Sequence, residues 1–291
     1  VIGAAAEFDG QGYVVLKGVI SPDRCDALVA RVNEALASTH GPLFQAAQRQ
    51  YGPDKALRMV KLSQLTEIVT DFEDLAHRRE IVDRVEELIG PHSRLFRDVV
   101  VLKPAHTGGE LRHHQDSAYW DVEPKSLVSA WVALSDVPVG SGPLSVVPGS
   151  HNALHRHDLV LGRLPLPRRV TSLLRRLVSS AGTGDNVASV GGSGILWRLK
   201  RLVLATGTKV LPSLAGLQDY HVRGIDPTDC RVLDVAKGDV ILFHSLLVHG
   251  SGPNTTKDDR LAAIISYMPA GSTLPRSEAA TFPLARRANV E

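Results

Sequence analysis

From Leu95 onward the chain is a succession of short apolar runs, each cut off by Gly, Pro, Asn or Asp: RLFRDVVVLKP, SLVSAWVAL, GPLSVVPGS, DVILFHSLLVHG and LAAIISYMP. Runs this short are rich in Val, Ile and Leu and fit strands better than helices, and their regular punctuation is the pattern of an all-β sandwich or barrel. The earlier part reads differently. GYVVLKGVI (Gly12–Ile20) is β-branched and reads as a strand. In SPDRCDALVARVNEALAS, Ser21 suits an N-cap and Pro22 the first helical position, and Leu28, Val29, Val32 and Leu36 recur at helical spacing. A second helix is expected over Asp74–Ile89, stopped by Gly90-Pro91. Helices therefore come first and strands later, giving a mainly β protein with flanking helices.

Composition narrows the class. The 291 residues are 43% hydrophobic and 22% charged, enough to bury a substantial core. A formal net charge of +2 argues against a dedicated nucleic-acid binder. Two cysteines, Cys25 and Cys230, make no disulfide framework and suggest a reducing compartment. The opening VIGAAAEFDG lacks the pattern of a signal peptide, and no apolar run approaches the ~18 residues of a membrane span, so a cytoplasmic location is expected.

Residues 1–291 are read as a single domain in four stretches. Residues 1–92 pack a strand and helices on a β core formed by 93–151 and 232–270. Between the two core segments lies 152–231, which interrupts the strand rhythm. Its run RVTSLLRRLVSSA places Val170, Leu173, Leu174, Leu177 and Val178 on one helical face. The segment holds 12 Lys and Arg against five Asp and no Glu, so the charge of +7 it carries leaves −5 on the rest of the chain. A basic helical insertion of this kind suits a lid over an anionic substrate, a surface for an acidic carrier protein, a membrane-surface contact or a contact between copies in a homo-oligomer.

The chemistry concentrates in LRHHQDSAYW (Leu111–Trp120). Alternate residues of a strand share a face, so His114 and Asp116 point one way and His113 and Gln115 the other. An imidazole and a carboxylate on one face are half of a metal site. Iron(II) oxygenases complete it with a second histidine and leave the remaining positions open. HSLLVHGSGPN offers His249 at a strand end; His244, five residues earlier, falls on the opposite face. An HxD triplet alone occurs often by chance. Arg260 strengthens it: it stands eleven residues after His249 and opens LAAIISYMP, where a returning strand would bring its guanidinium beside the metal. A 2-oxoacid bound to iron through its keto-acid end needs a cation for its far carboxylate, and the planar fork of arginine matches it.

Four ordered blocks extend this into a family resemblance: FDGQGYVVLKGVISPDRCDALVARVNEAL, VLKPAHTGGELRHHQDSAYW, SAWVALSDVPVGSGPLSVVPGSH and GDVILFHSLLVHGSGPNTTKDDR. Together they resemble the phytanoyl-CoA dioxygenase family of iron(II)/2-oxoglutarate oxygenases; 152–231 is not covered by the blocks. The resemblance implies a double-stranded β-helix core, the cupin-like jelly roll, with N-terminal helices packed on it. It implies His114, Asp116 and His249 as iron ligands, and Arg260 with the Ser251 hydroxyl on the distal carboxylate of 2-oxoglutarate. Trp131, Lys61 and Val99 match family positions lining the cosubstrate pocket. Tyr119 and Trp120 follow the metal triplet and are placed at its mouth as substrate contacts.

The implied activity is hydroxylation of a small organic substrate, anionic or carrier-bound, by dioxygen, with ascorbate as a reductant for the iron and biosynthetic tailoring as a role. Asp116 favours this over halogenation, since related halogenases lack the carboxylate. Epimerisation, cyclisation and desaturation use the same centre. A non-catalytic jelly-roll module that binds metal or ligand is the alternative of another class, and the intact set of His114, Asp116, His249 and Arg260 counts against it.

Overall fold

In the computed structural model, the described residues are 4–37, 47–155, 157–160, 219–222, 224–274, 277–278 and 282–287. The helical face at Val170–Val178 and most of the basic segment lie outside them.

The N-terminal part contributes helices α1 (Ala4–Gln11) and α2 (Pro22–Ala37), strands β1 (Tyr13–Leu16), β2 (Gln48–Tyr51) and β3 (Leu57–Ser63), and helices α3 (Leu65–Ile68), α4 (Thr70–Ala76) and α5 (Arg79–Ile89). The strands that follow are β4 (Arg94–Lys103), β5 (Leu111–His114), β6 (Val128–Ala133), β7 (Leu144–Val146), β8 (His157–Val160), β9 (Asp219–Val222), β10 (Arg231–Val232), β11 (Val240–His244), β12 (His249–Ser251) and β13 (Arg260–Met268).

Two antiparallel sheets face each other. The larger has the order β1-β11-β6-β13-β4-β3-β2, the smaller β10-β7-β12-β5. One face of the large sheet meets the helices: Val100 and Leu102 of β4 and Ala263 and Ile265 of β13 pack with Leu28 and Val32 of α2, Phe72 of α4 and Val82 of α5. Its other face, with Trp131, Ala133, Ile241, Phe243 and Ala262, closes on Leu144 and Val146 of the small sheet. No two neighbours in the small sheet are consecutive in the chain, so the connections cross between the two antiparallel sheets, which is the expected jelly roll.

Several elements depart from the sequence reading. The strand expected over Gly12–Ile20 pairs only at Tyr13–Leu16. The helix expected over Asp74–Ile89 is two helices broken at His77-Arg78. The Tyr267 hydroxyl reaches from β13 to donate to the Ala76 carbonyl, and the His77 ring bonds the Ala285 carbonyl, so partners distant in sequence cap the break. The helix over Pro22–Ala37 starts as read, with the Ser21 hydroxyl accepting from the Arg24 N–H. The N-terminal residues also do more than pack on the core, because β1, β2 and β3 extend the large sheet at both edges. No helix among the described residues is long and apolar enough to cross a membrane.

Candidate metal and cosubstrate site

β5 and β12 are neighbours in the small sheet, and their register sets His249 directly opposite His114. The two imidazoles are 4.4 Å apart between ring centroids. Each Nδ1 lies against a main-chain carbonyl, at 2.8 Å from Arg112 O for His114 and 2.9 Å from Leu247 O for His249. A carbonyl only accepts, so each Nδ1 carries the proton and each Nε2 presents a lone pair. Both Nε2 atoms converge on Asp116 Oδ1, at 3.7 and 3.8 Å. These separations are too long for hydrogen bonds and suit donors sharing one cation. The three ligand atoms lie within 4.8 Å of one another.

Asp116 arrives by a different local structure from the one expected. β5 ends at His114, Gln115 remains extended (φ −116°, ψ 131°), and Asp116 opens a 3-10 turn through Ala118. Strand alternation therefore carries only as far as Gln115, and that suffices to return Asp116 to the His114 side. Burial pushes the His249 pKa down to about 4, helped by His114, which keeps the ring neutral as a ligand must be. Burial alone would raise the Asp116 carboxyl. The neighbouring His249 and His114 rings and the guanidinium of Arg97 outweigh it and hold the group below the usual carboxylate range. Its Oδ2 lies 3.4 Å from the Ser129 hydroxyl, itself 2.9 Å from the Ser266 hydroxyl.

His113 faces away, with Nε2 at 3.2 Å from Ser145 Oγ. His244 packs between Phe8 and His151, away from the triad. Gln115 is fully buried; its side chain donates to the carbonyls of Ala153 and Leu246 and accepts from the His155 N–H. Its main-chain N–H donates to His157 Nε2 at 3.0 Å. Burial pushes His157 down to about 4, so the ring stays neutral and able to accept. The residue between two ligands is thus locked to the start of the basic segment, a tie that sequence reading missed because its partners lie about 40 and 130 positions away.

The inner face of the large sheet is legible in its register. Val99 of β4, Ile264 of β13 and Trp131 of β6 form one row; Lys61 of β3, Val101, Ala262 and Ala133 form the next; Lys103 and Arg260 form the last. Arg260 is buried, with one terminal nitrogen donating to Gly142 O at 2.8 Å, Nε without a partner, and its Cζ 5.6 Å from the centre of the Trp131 ring. Gly142 sits at φ +77°, where a Cβ would strike the Gly252 carbonyl. Burial pushes Arg260 down to about 10. Lys103 was not among the residues singled out from the sequence. Its ammonium, fully buried, donates to the Ser251 hydroxyl at 2.7 Å and to the carbonyls of Ser251 and Gly252. Burial, then the charge of Arg260, brings its pKa down to about 7. Period-two counting from Val99 would have found it: a lysine ending an apolar strand on its inward face.

At the mouth, the Tyr119 ring stands edge-on to His114 at 5.6 Å. Trp120 lies one step out, edge-on to Phe96 at 5.2 Å, with the Arg97 guanidinium 5.6 Å above its ring. The structure thus brings His114, Asp116 and His249 together, sets Arg260 against Trp131 and, across the strand pair, opposite Lys103, and places Tyr119 beside His114 with Trp120 next in the chain.

The chain resembles known proteins along most of its length. The family model "Phytanoyl-CoA dioxygenase (PhyH)" matches residues 8–186 and 205–262, a span that takes in much of the basic segment. Peroxisomal phytanoyl-CoA dioxygenase of Rattus norvegicus is 25% identical over 275 residues, covering 89% of this chain and 66% of that protein. The chain thus spans just under two thirds of the length of this relative. The phytanoyl-CoA dioxygenase domain-containing protein 1 of Danio rerio is 23% identical, covering 92% of this chain and 90% of that protein. Among solved structures, the epimerase SnoN with Fe3+, alpha ketoglutarate and nogalamycin RO aligns over 97% of both chains at TM-score 0.63 and 22% identity. The non-heme monooxygenase ThoJ covers 99% of this chain and 85% of its own at TM-score 0.66 and 17% identity, and shares the fold. The chain belongs to the phytanoyl-CoA dioxygenase family.

Proposed function

We propose that the chain is an iron(II)/2-oxoglutarate-dependent dioxygenase that oxidises a small organic molecule by hydroxylation. One observation carries this reading: the strand that supplies His249 of the two-histidine, one-carboxylate set also supplies Ser251, whose hydroxyl meets Lys103, and Lys103 and Arg260 are two buried cations that no carboxylate pairs with among the described residues. An unpaired buried charge costs several kcal/mol, on the order of the cost of leaving a broken ion pair in a core. A ligand carboxylate would remove that cost, and the unpartnered Nε of Arg260 is free to donate to it.

His114, Asp116 and His249 would hold the iron through two neutral imidazoles and one carboxylate. Iron held there would, with 2-oxoglutarate and dioxygen, supply oxidising chemistry with release of succinate and carbon dioxide, and ascorbate would serve to keep it ferrous. The chain's own residues bind and orient. Arg260 clamps the distal carboxylate of 2-oxoglutarate. Lys103 donates to the Ser251 hydroxyl, which leaves the hydroxyl's own proton for the same carboxylate. Trp131, Val99 and Ile264 wall the pocket against water, and Lys61 adds positive charge from the adjoining strand. Tyr119 and Trp120 shape the mouth.

A second reading keeps the centre and changes the outcome to epimerisation or ring closure. Proteins of like fold are described with each outcome: SnoN as an epimerase, SnoK as a carbocyclase at TM-score 0.61, and ThoJ as a monooxygenase. Succinate formation by protein supplied with iron(II), ascorbate, 2-oxoglutarate and air tests the shared chemistry, with Asp116→Ala as the silent control. Clear 2-oxoglutarate binding without any iron-dependent succinate, even with substrate screening, would favour a binding module. Product mass then separates gain of one oxygen from no change on epimerisation and from loss of two hydrogens on ring closure or desaturation.

A further inference from the structure

We propose that Arg97 anchors an oxyanion of the substrate, a carboxylate or a phosphate, at the mouth of the jelly roll. The assignment rests on the oxygenase reading above and names the class of molecule it acts on.

Position is the first argument. The pairing of β4 with β13 slips between Ser266 and Tyr267, so that Ser266 faces Arg97 while Tyr267 faces Leu95. Phe96 is the extra residue of this bulge, and the slip sets Arg97 in the row of Ser266 and Ser129. Those two hydroxyls are hydrogen-bonded to each other, and Ser129 reaches Asp116. Arg97 therefore ends a row that leads to the metal ligand, two strands or about 10 Å from Ser129 at ordinary strand spacing. Its charge is felt at the Asp116 carboxyl.

Support is the second argument. The guanidinium lies over Trp120, which is braced by Phe96 and through it by Phe282. The aromatic face attracts the cation without using its N–H groups, which remain for a planar or tetrahedral oxyanion. The third argument is the lack of a partner. Arg24, Arg58, Arg84 and Arg286 all form ion pairs with Asp or Glu. Arg97 is exposed and has no hydrogen bond or ion pair among the described residues, although Glu67 and Glu73 line the groove beside it. The fourth is distance from the cosubstrate end. Lys103 lies six residues further along β4, about 20 Å at the rise of an extended strand. Arg97 is too far away to share the carboxylate held by Arg260 and Lys103, so the anion it takes belongs to a different molecule. Its offset from the triad sets the acid group several bonds from the carbon that reacts.

The test uses the full chain with iron(II) and 2-oxoglutarate, without oxygen, where the visible charge-transfer band of the bound 2-oxoacid reports substrate entry. Probes are hexanoate, 3-phenylpropionate and phenyl phosphate, each against its neutral partner hexanamide, 3-phenylpropanamide or phenol. The expected result is that at least one acid perturbs the band with at least about tenfold tighter binding than its neutral partner, the gain of a charge-assisted contact. Arg97→Gln erases that preference while keeping the band itself, and Arg97→Lys retains part of it. Preference for carboxylate or phosphate identifies the source of the anion. Equal binding of acid and neutral partner, no binding of any acid, or an acid preference that survives in Arg97→Gln overturns the assignment and makes Arg97 a solvated rim residue. If 2-oxoglutarate produces no band in the unmodified protein, the cosubstrate reading itself has failed, an outcome separate from all of these.

Discussion

Lys103 and Arg260 stand directly opposite each other on neighbouring antiparallel strands, both buried, with no carboxylate in ion-pair contact among the described residues. Like charges in this position repel, and burial magnifies the cost. An anion bound between them would remove that cost. Replacing Arg260 by Met removes one of the two charges and keeps much of the volume. Affinity for 2-oxoglutarate, measured by calorimetry on metal-loaded protein, should then fall by about 100-fold, the loss of a bidentate charged contact. The melting temperature of the ligand-free protein should hold or rise, because buried charge is being replaced by apolar surface. A variant that binds 2-oxoglutarate as tightly as the parent would remove Arg260 from the cosubstrate site.

Lys103 predicts a pH signature. Its pKa in the folded chain is lowered from 10.5 to about 7, so between these values the unfolded chain carries a proton that the folded one has released. Stability follows the excess of protons on the unfolded state, so this group's contribution rises as pH climbs from about 7 towards 10.5, and its penalty is fully present below 7. Chemical denaturation across that range should show an upward component that Lys103→Met lacks. Binding of 2-oxoglutarate opposes the trend by favouring the charged amine. At pH 8 to 9 it should take up a proton, read as a buffer-dependent binding enthalpy that disappears in Lys103→Met. Identical pH profiles for parent and variant would place the titration elsewhere.

Much of this site was legible in the sequence because it follows from local rules. The two-residue period that aligns His114 with Asp116 is a property of any strand, and the short apolar runs after Leu95 announced the strands that carry it. What escaped depends on contacts between distant residues. QRQY forms β2 at the edge of the large sheet and is mostly exposed, so it shows no apolar alternation to read. The helix break at His77 is capped by Tyr267, 190 positions away. Lys103 and Gln115 are polar residues whose burial depends on acceptors supplied by β12, the loop before it and the segment beyond Gly149.

The triad predicts metal-dependent stability. A ligand that binds only the folded state at 100 times its dissociation constant stabilises by about 2.7 kcal/mol. For a chain of this size that corresponds to an increase of about 5–10 °C in melting temperature. Anaerobic iron(II) should produce such a shift in the parent protein, and His249→Ala and Asp116→Ala should each abolish it. Since both Nδ1 atoms are held by main-chain carbonyls, His249→Gln offers no equivalent Nε2 lone pair and should fail likewise. A retained shift in any of these variants would rule out the assigned ligand set.

Gln115 joins the metal loop to the chain beyond Gly149, and its replacement by Leu separates packing from polar satisfaction. Leucine fills nearly the same volume but leaves the His155 N–H and the carbonyls of Ala153 and Leu246 without their partner. Buried polar groups stranded in this way cost about 1–3 kcal/mol each, and partial relaxation should bring the sum to about 2–4 kcal/mol. The expected loss in melting temperature is about 5–10 °C. Because Gln115 lies between His114 and Asp116, the iron affinity of the folded variant should fall as well, while the His157 contact to its main-chain N–H persists. Calorimetric titration of the variant below its melting point distinguishes the two effects. Lost stability with unchanged iron affinity would show that the tie holds the adjoining segment without positioning the ligands.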